Sequence, residues 1–154
     1  MTQPPFPLPF EENQHIEFAS EEIEFELKDE KSASEWLQKI IERAGCVLRS
    51  LNFIFCSDDY LHRLNVEYLD HDTLTDIITF PYAEPPSIEG DIFISIDRVR
   101  DNAQDFKVTF EQELHRVMAH GVLHLCGFGD KTPDEQKIMR QKEDDALQLL
   151  SYEP

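Results

Sequence analysis

Apolar residues change period several times along this chain, and each period predicts an element. HIEFA (15–19) and IEFEL (23–27) alternate apolar and polar positions, which predicts two short strands in a hairpin around SEE. From 34 to 44 the period lengthens. Trp36, Leu37, Ile40 and Ile41 then share one face of a helix capped by Ser32 or Ser34 and ended by Gly45. LNFIFCS (51–57) has Asn52 as its sole polar residue before the closing serine and reads as a central strand. Ser57-Asp58-Asp59 starts a helix carrying Leu61, Leu64, Asn65 and Tyr68. LDHDTLT (69–75) is a polar loop, and DIITFPY (76–82) is a strand whose Pro81 points to a sheet edge. After the loop AEPPSIEG comes the alternating strand DIFISI (91–96). Asp97 caps a helix over 98–106, and Thr109 begins FEQELHRVMAHGVLHLC, with Glu111 and Glu113 in its first turns. Thr132-Pro133-Asp134-Glu135 opens a last amphipathic helix with Ile138, Met139, Ala146, Leu147 and Leu150.

Strands and helices mixed in this way predict an α+β fold, a mixed β-sheet of about four to five strands with helices packed on it. No repeat is present, and 154 residues suit one domain over 15–154. Residues 1–14, MTQPPFPLPFEENQ, hold four prolines and read as a flexible lead-in; they lack the basic and apolar regions of a signal peptide. No apolar run approaches the roughly 20 residues of a membrane helix, so no membrane partner is expected. Cys46, Cys56 and Cys126 form no CxxC pair and read as buried reduced thiols of a cytosolic protein. The net charge of -18 changes the picture more. It argues against a broad basic face that coats nucleic acid, DNA included, so an anionic ligand needs a local cationic spot such as a metal or an arginine cluster.

HGVLHLCGFGD (120–130) supplies such a spot. Positions i and i+4 share a helix face, so His120 and His124 can converge. Gly127 suits a left-handed cap, Gly129 lets the chain turn sharply, and Asp130 can then swing back toward the imidazoles. Two nitrogens and one oxygen with an open fourth position describe a catalytic zinc site. Gly121 costs the helix about 1 kcal/mol against alanine, which predicts that something approaches there. His115 lies off the shared face and reads as structural or solvated; His15, His62 and His71 carry no spacing signal. Metzincin proteases share this spacing but carry Glu after the first histidine as base, where this chain has Gly121. A peptidase reading is therefore the weakest.

The same stretch resembles the HGxLHLxGxDH signature of the YbeY family of endoribonucleases, ribosomal RNA maturation factors. The resemblance runs from Asn52 to Leu150 through FIFCSDDYLHRLNVEYL, TDIITFPYAE, GDIFIS with Asp97, and MRQKEDDALQLL. It implies a zinc-hydrolase-like fold and a zinc-dependent, single-strand-directed endoribonuclease that matures small-subunit ribosomal RNA in the bacterial cytoplasm, with one zinc per chain. Two positions depart from the family. Asp130 stands where its third histidine ligand is usual, with Gly129 in place of the aspartate before it; a gapped alignment would leave two ligands. Leu69 follows Tyr68 where the family commonly has an arginine implied in RNA cleavage.

The reading is thus metal-dependent hydrolysis of RNA phosphodiesters, the ion held by His120, His124 and Asp130. With no base at Gly121, activated water or a neighbour must move the proton, and Asp91 at the head of DIFISI is one candidate. Arg63, Arg98, Arg100 and Arg116 are candidates for phosphate, and edge strand DIITF for bordering the cleft. The alternative is a non-catalytic ribosome-assembly factor with a structural metal, whose acidic body would suit basic ribosomal proteins.

Overall fold

Four strands and five helices form from the residues described, 15–69 and 75–150, in the computed structural model. They run β1 (Ile16–Glu21), α1 (Glu30–Arg43), β2 (Val47–Cys56), α2 (Asp58–Leu69), β3 (Ile77–Pro81), β4 (Ser87–Ser95), α3 (Ile96–Phe106), α4 (Phe110–Leu125) and α5 (Pro133–Gln148). The sheet order is β1-β2-β4-β3. β2 pairs in parallel with both β1 and β4, and β3 pairs antiparallel with β4. The apolar run around LNFIFC is therefore an interior strand, and the proline-ended DIITFP is an edge. Residues 1–14, His71 and most of the expected loop 69–75 lie outside the described residues.

Strand alternation sends Leu51, Phe53 and Phe55 of β2 and Ile88, Ile92 and Ile94 of β4 into one buried layer under α1 and α4. Each fully buried phenylalanine contributes about 2–3 kcal/mol of transfer free energy. Phe18 of β1 stacks on both, 5.6 Å from Phe53 and 6.3 Å from Phe55. The other face carries Cys56 and Ile78 against Leu61 of α2. Trp36 Nε1 donates to the Ala146 carbonyl at 2.8 Å, which ties α1 to α5. α4 is thereby held between the sheet, its edge β3 and α5.

Local expectations change at several points, and β4 for one starts at Ser87, inside the expected loop AEPPSIEG, because residues 87–90 pair with β2. IEFEL forms no strand, because β1 takes a parallel partner, β2, instead of a hairpin partner. Glu22 turns the chain with φ 58, and the Ser20 hydroxyl donates to the Phe25 carbonyl at 2.6 Å. Phe25 then packs edge-on against Phe55 and Phe110. α1 begins earlier than its serines suggest: Asp29 caps it by accepting from the Ser32 amide at 3.2 Å. Asp97 caps a different helix from the one expected. Ser95 Oγ accepts from the Arg98 amide to cap α3, while Asp97 Oδ2 accepts from the Asp58 amide at 2.9 Å at the start of α2. Among the described residues no helix is long and apolar enough to cross a membrane.

Candidate metal centre

The site is built on the last turns of α4. The helix starts in a capping box, Thr109 Oγ1 accepting from the Gln112 amide and Gln112 Oε1 from the Thr109 amide. It stops at Gly127, whose φ of 109 is the left-handed conformation that glycine adopts without Cβ strain. The Gly127 amide donates to the His124 carbonyl and the Phe128 amide to the Leu123 carbonyl, the paired bonds of a Schellman stop. Gly129 is not in the left-handed region; a Cβ there would instead meet the Glu135 carboxylate. Gly121 faces the sheet, and what approaches it is Ile77 and Ile92. Position 121 thus points away from any ligand.

His120 and His124 stack with ring centres 5.7 Å apart and planes 28° apart. The turn returns Asp130 to His120, with Oδ2 at 3.3 Å from Nε2. His124 Nδ1 lies 2.9 Å from the Phe128 carbonyl, which can only accept, so Nδ1 carries the proton. His120 Nδ1 lies 2.7 Å from Glu143 Oε2 of α5. Both Nδ1 atoms are occupied as donors, so in the neutral rings the lone pairs are on Nε2. Among the described residues no three His, Cys, Asp or Glu side chains converge closely enough to hold an ion as they stand.

Around this pair lies a charged network. Arg116 Nη1 donates to Glu143 Oε1 at 2.9 Å and Nη2 to Asp144 Oδ1 at 2.8 Å. The Glu143 hydrogen bond raises the His120 pKa above the ordinary imidazole value, against the opposing effect of burial. Asp130 and Asp76 add their negative charge to the same effect. Burial pushes the Asp76 carboxyl up in turn, with His120 and Arg98 opposing. Glu143 and Asp76 were not singled out from sequence. A signal for Glu143 exists: it lies between Met139 and Ala146 on the buried face of α5, where an apolar residue is the rule.

The other candidates lie elsewhere. Asp91 alternates with Ile92, so it is on the sheet face opposite α4, where it accepts from Asn52 Nδ2 at 3.0 Å and Tyr82 Oη at 2.8 Å. It is not placed to serve these histidines as a base. Arg63 pairs with Glu22, Arg98 with Asp58, and Arg100 lies over the Phe110 ring. Of the four arginines, Arg116 is the one bonded to a residue that contacts the histidine pair. His115 packs edge-on against Trp36 at 5.2 Å, a structural place. Leu69 is exposed at the end of α2. The thiols are reduced; Cys46 and Cys56 are buried, and Cys126 is half-buried beside Cys46. A cavity of about 490 Å³ lined by Phe25, Phe110 and His115 is at the opposite end of α4 from His124.

Residues 15–151 match the profile of a family described as Endoribonuclease YbeY. A protein of that name from Flavobacterium johnsoniae is 50% identical over 132 residues, 86% of this chain and 95% of that one. One from Amoebophilus asiaticus is 52% identical over 130 residues, 84% of this chain and 88% of that one. The solution structure of TM1509 from Thermotoga maritima is similar with a TM-score of 0.60 at 28% identity, covering 87% of this chain and 90% of that one.

Proposed function

Since this chain belongs to the YbeY family, we propose that it is a zinc-dependent endoribonuclease that cuts single-stranded RNA and matures small-subunit ribosomal RNA in the cytoplasm. The observation that carries the metal assignment is that acceptors engage both Nδ1 atoms, which leaves both Nε2 atoms to serve a ligand when the rings are neutral, with the Asp130 carboxylate 3.3 Å from one of them. This donor set fits zinc: two imidazoles and one carboxylate leave a coordination position open. His120, His124 and Asp130 would hold the ion. Bound there, it would supply Lewis-acid polarisation of a phosphoryl oxygen and a lowered pKa for water.

The chain's own residues do the rest. Among the described residues β3 is an edge strand beside α4, the place in a sheet from which backbone groups can meet an extended strand. Gly121, packed on Ile92, contributes nothing to proton transfer. Arg116 is engaged by two carboxylates and steadies the site from behind. Cleavage of a single-stranded ribosomal RNA fragment by zinc-loaded protein, lost after chelation and in His124→Ala, is the expected result. Equal cleavage with and without metal would remove the metal from the reaction.

A second reading is favoured by the charge of -18 and by Leu69 in place of the family's arginine. In it the chain is a ribosome-assembly factor with a structural metal and no catalysis, bound to basic ribosomal proteins. Zinc binding without any chelator-sensitive cleavage would select it.

A further inference from the structure

We infer that Glu143 is the positioning residue of this site, holding the His120 ring from the neighbouring helix so that Nε2 faces the ligand point; the inference rests on the metal reading above. Glu143 is 6% exposed, and its Oε2 lies 2.7 Å from His120 Nδ1. A buried carboxylate is costly unless it is paired and hydrogen-bonded. Here each oxygen has its own partner. Oε1 accepts from Arg116 at 2.9 Å and faces Arg140 at 3.7 Å, while Oε2 receives the imidazole N–H. An ionised carboxylate has no proton to give, so His120 Nδ1 carries the proton, and in the neutral ring Nε2 is the atom with the lone pair. Carboxylate support of this kind also strengthens an imidazole as a ligand.

The two histidines are therefore fixed by different means. His124 is held by the carbonyl of its own turn, four residues on. His120 is held by a charge from α5, 23 residues away. Packing alone does not require that charge, since Met139 and Ala146 complete the buried face on either side of it. The bland account is a helix–helix clamp, because Arg116 joins α4 to both Glu143 and Asp144. Asp144 separates the two accounts: it shares the clamp and has no bond to His120.

The test is zinc affinity by competition with a chromophoric chelator, read beside the melting temperature. Glu143→Ala is expected to weaken zinc binding by about 10–100-fold. Glu143→Gln, whose amide oxygen still accepts from Nδ1, is expected to recover most of it. Asp144→Ala should lower the melting temperature and leave zinc affinity as in wild type. Glu143→Asp, which draws the acceptor back by one methylene, carries the same test should the alanine variant not fold. Wild-type affinity in Glu143→Ala or Glu143→Asp, with only the melting temperature reduced, would overturn the positioning role. Undiminished zinc binding in His120→Ala plus His124→Ala would remove the metal reading itself, and this inference with it.

Discussion

Gly121 of α4 and Ile92 of β4 pack so closely that a Cβ on the glycine would stand 3.1 Å from both Cδ1 and Cγ2 of the isoleucine, and 2.9 Å from Ile77 Cδ1. The glycine between the two histidines thus brings the helix onto the sheet. Gly121→Ala sets an overpacking cost of about 1–3 kcal/mol against a helix-propensity gain of about 1 kcal/mol. A net loss of about 1 kcal/mol in urea unfolding is expected. Unchanged or increased stability would mean that Ile77 and Ile92 rotate aside freely. Gly121→Glu, which would restore a metzincin-type base, should give no folded protein, because the carboxylate would enter the core.

Asp130 is reached by the turn that Gly127 starts and meets His120. Asp130→Ala should weaken zinc binding sharply, whereas Asp130→His should retain it. The readout is the same chelator competition. Full affinity in Asp130→Ala would place the third ligand elsewhere.

His115 gives a pH dependence independent of any metal. Burial against Trp36 lowers its pKa below 6.5, with Glu111 opposing. The unfolded chain therefore takes up its proton first as pH falls, and stability drops. The contribution is fully present above pH 6.5 and is lost as pH falls from there through the folded-state value. His115→Phe keeps the ring packing and removes the titration. Urea midpoints between about pH 5 and 7 should then fall less steeply than in wild type. Identical slopes would contradict this assignment.

Encounter with RNA must overcome a net charge of -18. Single strands lose affinity with salt at a slope of about -0.7 per phosphate contact. With few cations near the site, a log–log slope of only about -1 to -2 is expected. Leu69→Arg should raise the cleavage rate by supplying a guanidinium for the phosphate. A steep slope would reveal a basic face, and no gain from the arginine would mean that position 69 does not reach the substrate.

The sequence by itself determined what short-range physics controls. Thr109 and Thr132 cap their helices as read, since a cap needs only the next three residues. Gly127 stops α4, and the i, i+4 spacing stacks His120 on His124, because both follow from backbone geometry within one turn. Pro81 and LNFIFC likewise indicated edge and interior strands. Tertiary structure decided everything that depends on which elements meet. IEFEL alternates as a strand does, yet it stays unpaired because β1 lies parallel to β2. Asp91 is one residue from a core position and so falls on the wrong face to serve the histidines. Gly121 is explained only by the sheet beneath it, and Glu143 acts on His120 only because α5 docks on α4. Such contacts join residues tens of positions apart, and no local period encodes which partner is met.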